Sequence, residues 1–376
     1  MKQPFFRIVL LIALISLLLG ACAPAATPTP EKVTVKETVS VKETVQVKET
    51  VQVNVVITAT PLPTTPPVAE KPLKVAMIFP SPITDASFSQ SMYEAWLKIQ
   101  TEMGGPTKLE IAKSENMFNV PDAAAAIRDY ASKGFDIVIA HGSQYGTSLQ
   151  QIAPDFAKTS FAWGTSLDTF QKDGIANVFA YQAEAQQGGY VQGVLAAMMS
   201  KSGVVGICGP VEAGDAKLYV DGFKAGVLAT KKDAKVNVTY TGSFSDASLM
   251  ATAAKTQINA GADILTGSSQ SVIGAVGVGK DNKAMWFGTQ WDQTSLAPTI
   301  VVASQVYDWT GILKDIIASR KAGVLGNKAY TLTFKNNGLV IKYNSAVPVP
   351  AEAKKAADDA IQAIKDGKID PLKPAK

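Results

Sequence analysis

Gly134-Phe135-Asp136-Ile137-Val138 and Gly261-Ala262-Asp263-Ile264-Leu265 are two versions of one stretch: a glycine that stops a helix opened at Ala125-Ala126 or Ala253-Ala254, then an aspartate, then an apolar run. The offset is 127 residues (263 − 136). Upstream, the strand Lys74 to Phe79 leads into Asp85-Ala86-Ser87-Phe88, and Val204 to Cys208 leads into Asp215-Ala216-Lys217-Leu218, an offset of 130 (215 − 85). Downstream, Phe161-Ala162-Trp163-Gly164 returns as Met285-Trp286-Phe287-Gly288, an offset of 124 (288 − 164). Three echoes in the same order at nearly constant spacing mark an internal duplication, and the slow drift is what small loop deletions leave behind. The chain is therefore expected to build two similar lobes.

Within each lobe, strands alternate with helices, the pattern of a parallel sheet covered on both faces. The first set of strands is Lys74 to Phe79, Leu109 to Lys113, Asp136 to Ala140, Ser160 to Trp163 and Val178 to Tyr181. The second is Val204 to Cys208, Val236 to Tyr240, Asp263 to Thr266, Ala284 to Phe287 and Val301 to Val306. A helix from about Tyr307 to Ala322, strands Tyr330 to Phe334 and Leu339 to Tyr343, and a polar helix Ala351 to Lys365 follow, and are expected to cross between the lobes. At 376 residues the chain exceeds the size at which one core stops growing, which agrees with two units plus extensions.

The first 22 residues read as a leader: Lys2 and Arg7, an apolar run from Ile8 to Leu19, then Leu19-Gly20-Ala21-Cys22. Small residues before a cysteine are similar to a bacterial lipobox, in which cleavage leaves Cys22 acylated at the new N-terminus. Two or more acyl chains anchor stably where one does not, so the expected location is the extracytoplasmic face of the cell membrane. Residues 23–72 read as a tether, with Val35-Lys36-Glu37-Thr38-Val39 repeating at Val41 and Val47 and Pro61, Pro63, Pro66 and Pro67 stiffening its end. Cys208 is the only other cysteine, so no intramolecular disulfide is expected of the cleaved chain, and an apolar strand makes it an inert core thiol. Formal charge is +4, or +2 once Lys2 and Arg7 leave, too weak a balance to imply nucleic acid.

His141 is the single histidine, so a serine, cysteine or metal site built on histidine would have to use it; no second histidine or cysteine lies at ligand spacing, no Gly-x-Ser-x-Gly elbow is present, and a lone strand-end histidine is more often structural. The reading is of a non-enzyme with no cofactor and no metal. Gly274 to Lys280 matches a phosphate loop up to its lysine, but Asp281 replaces the required Ser or Thr, and the segment ends a helix instead of starting one. What remains is a set of loops at the carboxyl ends of strands, where open parallel sheets hold ligands. They carry Phe88, Tyr145, Trp291, Tyr307 and Trp309 beside Gln144, Gln270, Gln290, Asp85, Asp215 and Asp292, with Lys217 nearly the only cation. Such a lining suits a planar, uncharged, hydrogen-bonding molecule, and a phosphorylated one badly.

These residues add up to a resemblance. Thr84-Asp85-Ala86-Ser87-Phe88-Ser89-Gln90, Lys133 to Ile139, Gln187-Gly188-Gly189-Tyr190-Val191-Gln192-Gly193, Asp221-Gly222-Phe223-Lys224-Ala225-Gly226 and Gly242-Ser243-Phe244-Ser245-Asp246 are similar to basic membrane protein (BMP) family lipoproteins, the substrate-binding components of ABC importers. The resemblance runs from about Leu73 to about Tyr343. It implies a type I periplasmic-binding-protein fold, an α/β pair of doubly wound lobes joined by a hinge: residues 73–182 with about 306–334, and 183–305 with about 335–370. It further implies a nucleoside or purine ligand and a membrane permease as partner. Asp85 and Phe88 match the family's first binding loop. Where nucleoside binders hold the ribose with an Asp and a Lys, this chain has Gln290 and Tyr307, and the Asp expected near Gly164 or Thr165 is absent, while Asp292 is retained. A free base or another flat heterocycle is then as fitting as a nucleoside. An envelope sensor, a sugar binder and a secreted nucleoside hydrolase are the alternatives, the last lacking a clustered acid-base or metal constellation.

Overall fold

The computed structural model describes residues 71–373; the leader, Cys22 and the tether up to residue 70 lie outside them. The first sheet takes β1 (Leu73–Ile78), β2 (Leu109–Ser114), β3 (Ile137–Ala140), β4 (Ser160–Gly164) and β5 (Val178–Ala183), interleaved with α1 (Phe88–Glu102), α2 (Val120–Ser132) and α3 (Gly146–Ile152). The second takes β6 (Val204–Gly209), β7 (Lys235–Tyr240), β8 (Ile264–Gly267), β9 (Met285–Gln290) and β10 (Val301–Tyr307), with α4 (Ala185–Met199), α5 (Gly214–Thr230), α6 (Ala247–Asn259) and α7 (Ile273–Asp281). The chain closes with α8 (Thr310–Lys321), β11 (Ala329–Leu332), β12 (Leu339–Tyr343) and α9 (Ala351–Lys365).

The strand orders are β11-β5-β4-β3-β1-β2 and β12-β10-β9-β8-β6-β7. Each lobe thus repeats the order 2-1-3-4-5, in which the chain winds one way from β1 or β6 and then the other. Every pairing in the first sheet is parallel. The second differs at its edge, where β12 runs antiparallel to β10 from Ala303↔Tyr343 to Tyr307↔Leu339. The cause is the connection: the short passage from Leu332 to Leu339 delivers the chain to the carboxyl end of β10, and β12 can only run back down it.

Residue alternation sorts the core. Val75, Met77 and Phe79 with Ile137 and Ile139 face α1 and α8, while Ala76, Ile78, Val138 and Ala140 pack under α2 and α3. In the second sheet Val205 and Ile207 face the α4 side, and Cys208, Leu265 and Trp286 face α6 and α7. The duplicated helices share start and stop devices. Asn119 caps α2 and Asp246 caps α6, each accepting a backbone N–H in the first turn, and Gly134 and Gly261 follow with φ of 72° and 91°. Helices α4 and α5 touch through glycine: a Cβ on Gly226 would sit 2.0 Å from the Tyr190 carbonyl, and one on Gly193 2.2 Å from that of Phe223. The phosphate-loop look-alike, Gly274 to Lys280, makes up nearly the whole of α7 instead of only its end, and Gly274 lets α7 approach the Ala247 backbone of α6.

Candidate functional site

Both switch points, between β1 and β3 and between β6 and β8, send their carboxyl-end loops to one cavity of about 160 Å³. Pro80, Phe88, Gly142, Gln144 and Thr165 line it from the first lobe, and Gly214, Asp215, Phe244, Gln270 and Gln290 from the second. The volume is comparable to the ~150 Å³ cavity that accepts benzene. No Lys or Arg is among its lining residues.

The lobes meet around it. The Ser87 hydroxyl hydrogen-bonds across to the Ser269 carbonyl at 3.0 Å and to the Gln290 side-chain oxygen. Gln293 Nε2 donates to the Ala86 carbonyl at 3.2 Å. Ala86, Thr165 and Gln290 all hold positive φ (51°, 59° and 73°), a cluster of backbone strain at the cleft of the kind that surrounding contacts must hold in place.

Phe88 is mounted on a fixed platform. Its ring stacks on His141 at 3.7 Å and 12°. The Phe88 carbonyl can only accept, so His141 Nε2 carries the proton that it receives (3.0 Å), and Nδ1 accepts from the Tyr181 hydroxyl (2.8 Å). Burial drives the His141 pKa down to about 3, and the ring is neutral. Trp309 meets the His141 and Phe88 rings edge-on, and its Nε1 donates to Ser91 Oγ at 3.0 Å.

Of the twelve residues named from sequence, Phe88, Gln144, Asp215, Gln270 and Gln290 reach the cavity lining, and the other seven do not. The Asp85 carboxylate is used by its own loop, accepting from Ser81 Oγ (2.8 Å) and the amides of Ser87, Ser89 and Gln90 (2.8–3.1 Å). Burial outweighs those donors and raises its pKa. Tyr145 is buried and donates to the Met117 carbonyl at 2.8 Å. Lys217 is held by Asp221 (2.8 Å) and Glu212 (3.3 Å). Asp292 pairs with Lys342 at 2.8 Å and caps Thr294; burial acts to raise its carboxyl pKa, and these partners hold it below the usual value. Tyr307 and Trp309 are fully buried under the platform, and Trp291 is half-buried outside the lining.

Two lining aromatics escaped the sequence reading. Phe118 and Phe244 each stand four residues past an edge strand, β2 or β7, one in each lobe. Their offset of 126 (244 − 118) falls within the range of the internal repeat, which is the signal that could have found them.

Asp215, in the first turn of α5, is the buried carboxyl of the cavity: it is 5% exposed, and its Oδ2 has no partner among the described residues. Burial, reinforced by Glu184 and opposed by the Ala183 amide, pushes its pKa up to about 7. Gln144 Nε2 is also buried without a partner.

Two doubly wound lobes meeting over an aromatic and amide-lined cavity define a solute-binding protein. The chain belongs to the family described as ABC transporter substrate-binding protein PnrA-like, whose model matches residues 73–369. It is 28% identical over 306 residues to a purine-binding protein of Brucella abortus (81% of this chain, 84% of that one). It is 26% identical over 313 residues to the ABC transporter nucleoside-binding protein BmpA of Lactococcus lactis (76% and 85%). Among solved structures, solute-binding proteins of ABC transporter systems from Conexibacter woesei (TM-score 0.66, 21% identity, 79% of this chain and 98% of that one) and Aeropyrum pernix (0.68, 16%, 80% and 93%) share the fold. The architecture is thus that of the periplasmic-binding-protein class, and the family is one of solute receptors, not of enzymes.

Proposed function

We propose that this protein is the receptor of an importer that captures a purine-like base or nucleoside between its lobes and presents the closed form to a membrane permease. In this reading residues 1–22 are a leader cleaved before Cys22, the acylated Cys22 moors the protein outside the cytoplasm, and residues 23–72 are its tether. One lobe is residues 73–182 with about 306–334, the other 183–305 with about 335–370. The observation that carries the reading is the composition of the cavity: Phe88, Phe118 and Phe244 offer ring faces, Gln144, Asp215, Gln270 and Gln290 offer edge contacts, and among the described residues no Lys or Arg lines it to meet a phosphate. Relatives described as purine- and nucleoside-binding support the same choice. A ligand touching both lobes favours the closed arrangement, and that preference is what signals occupancy.

The test is calorimetry with hypoxanthine, adenine, their nucleosides, AMP and a panel of monosaccharides. Binding of at least one base or nucleoside with AMP and sugars rejected is the expected result. Binding of a sugar alone would overturn the reading.

A further inference from the structure

Asp215 lines the cavity, 5% exposed, and its buried carboxyl oxygen Oδ2 has no hydrogen-bond partner among the described residues. Leaving such a group unpaired costs about 1–3 kcal/mol or more, and on a residue that lines a binding cavity that cost is one a guest can relieve. Among the described residues its surroundings supply no fixed counter-charge. Glu184, at the entry to α4, is itself acidic, and Tyr181 of β5 and Tyr307 of β10 are phenols whose burial holds them neutral. On its own element Lys217 is taken by Glu212 and Asp221, and the neutral His141 ring is spent on Phe88 and Tyr181.

We propose that Asp215 is the specificity-determining residue of the cavity and reads the ligand's edge in either of two protonation states, accepting from a ring N–H as the carboxylate and donating to a bare ring nitrogen as the neutral acid. This rests on the purine reading above. With its carboxyl pKa raised by burial to about 7, both forms are populated near neutrality. The proton balance is simple: a ligand carrying N–H selects the ionised form and releases any proton on Asp215 to solvent, while a ligand with a bare nitrogen keeps that proton or draws one from solvent. Hypoxanthine, with N1–H beside a carbonyl, and adenine, with bare N1 beside an amino group, are the two cases. Their relative affinity must then depend on pH whatever the state of the free protein, because the two complexes differ by one proton.

The experiment is calorimetry of the intact protein with hypoxanthine and adenine at pH 5.5, 7 and 8, each in two buffers of different ionisation enthalpy. The expected result is that the preference for hypoxanthine over adenine grows at least tenfold from pH 5.5 to pH 8, with the two ligands differing by up to one bound proton. Asp215→Asn, checked for an unchanged fold by its melting curve, should make that ratio independent of pH. A ratio flat within twofold in the wild type, or a pH-dependent ratio that survives in D215N, overturns the proposal while leaving the purine reading intact. Failure of any purine or nucleoside to bind overturns both.

Discussion

Phe118 and Phe244 face the cavity from opposite lobes without being built into either core; Phe118 is 47% exposed. Replacing either with Ala should weaken ligand binding at least tenfold, since ring-on-base stacking is worth about 1–3 kcal/mol, while the melting temperature hardly moves. Calorimetry paired with thermal denaturation checks both halves. Phe88→Ala should do both kinds of damage, because its ring is also the cover of His141. Asp215 bears on stability as well as on ligand. Its folded-state pKa lies above the ordinary value, so the folded protein holds a proton that the unfolded chain has lost between about pH 3.8 and 7. Its favourable contribution is therefore complete below pH 3.8 and lost as pH rises through 7. Asp215→Asn should raise the melting temperature of the ligand-free protein at pH 8 by about a few degrees, with the gain gone at pH 4. At this scale the sequence tells which side chains stand at strand ends, but not which are already engaged. Asp85 and Asp292 look alike as loop carboxylates, yet one is consumed by three amides and a serine and the other by Lys342, a residue 50 positions away (342 − 292) on a different strand.

Elements were far more legible than contacts. Apolar runs bounded by Gly, Pro and Asn place β3, β4 and β8 within a residue or two of where they lie, because a strand buried on both faces must be apolar throughout. The direction of β12 was not legible, since it follows from where the preceding crossing ends and not from anything in Leu339–Tyr343 itself. Glycines divide sharply by role. Gly226→Val should destabilise the protein by about 3 kcal/mol or more, because its Cβ would meet the fixed Tyr190 carbonyl in the α4–α5 contact. Gly277→Ala, in α7 with nothing within 4 Å of the added carbon, should instead be neutral or stabilise by up to about 1 kcal/mol. Urea denaturation of the two variants makes the comparison. Since α5 carries Asp215 at its head and α4 begins at the first passage between lobes, the glycine seam also fixes the cavity's carboxyl relative to the hinge.

For the whole molecule, the polar ties between lobes bear on the closing motion proposed above. Ser87→Ala removes the hydroxyl that reaches Ser269 and Gln290, a loss of about 1 kcal/mol from the closed form. Ligand affinity should fall about fivefold, and small-angle scattering of the ligand-free variant should show a larger radius of gyration that ligand restores. An unchanged scattering curve and affinity would mean that other contacts govern closure. The chain's order of assembly carries a last consequence. β11 and β12 are the edge strands beside β5 and β10, and both come from residues 329–343. Neither half can finish its sheet until residues 329–343 have been made, and a product ending near residue 328 would leave two hydrogen-bonding margins bare at once, in a shape suited to sticking to its neighbours. Early termination near the C-terminus is thus expected to yield insoluble protein, and not a half-sized binder.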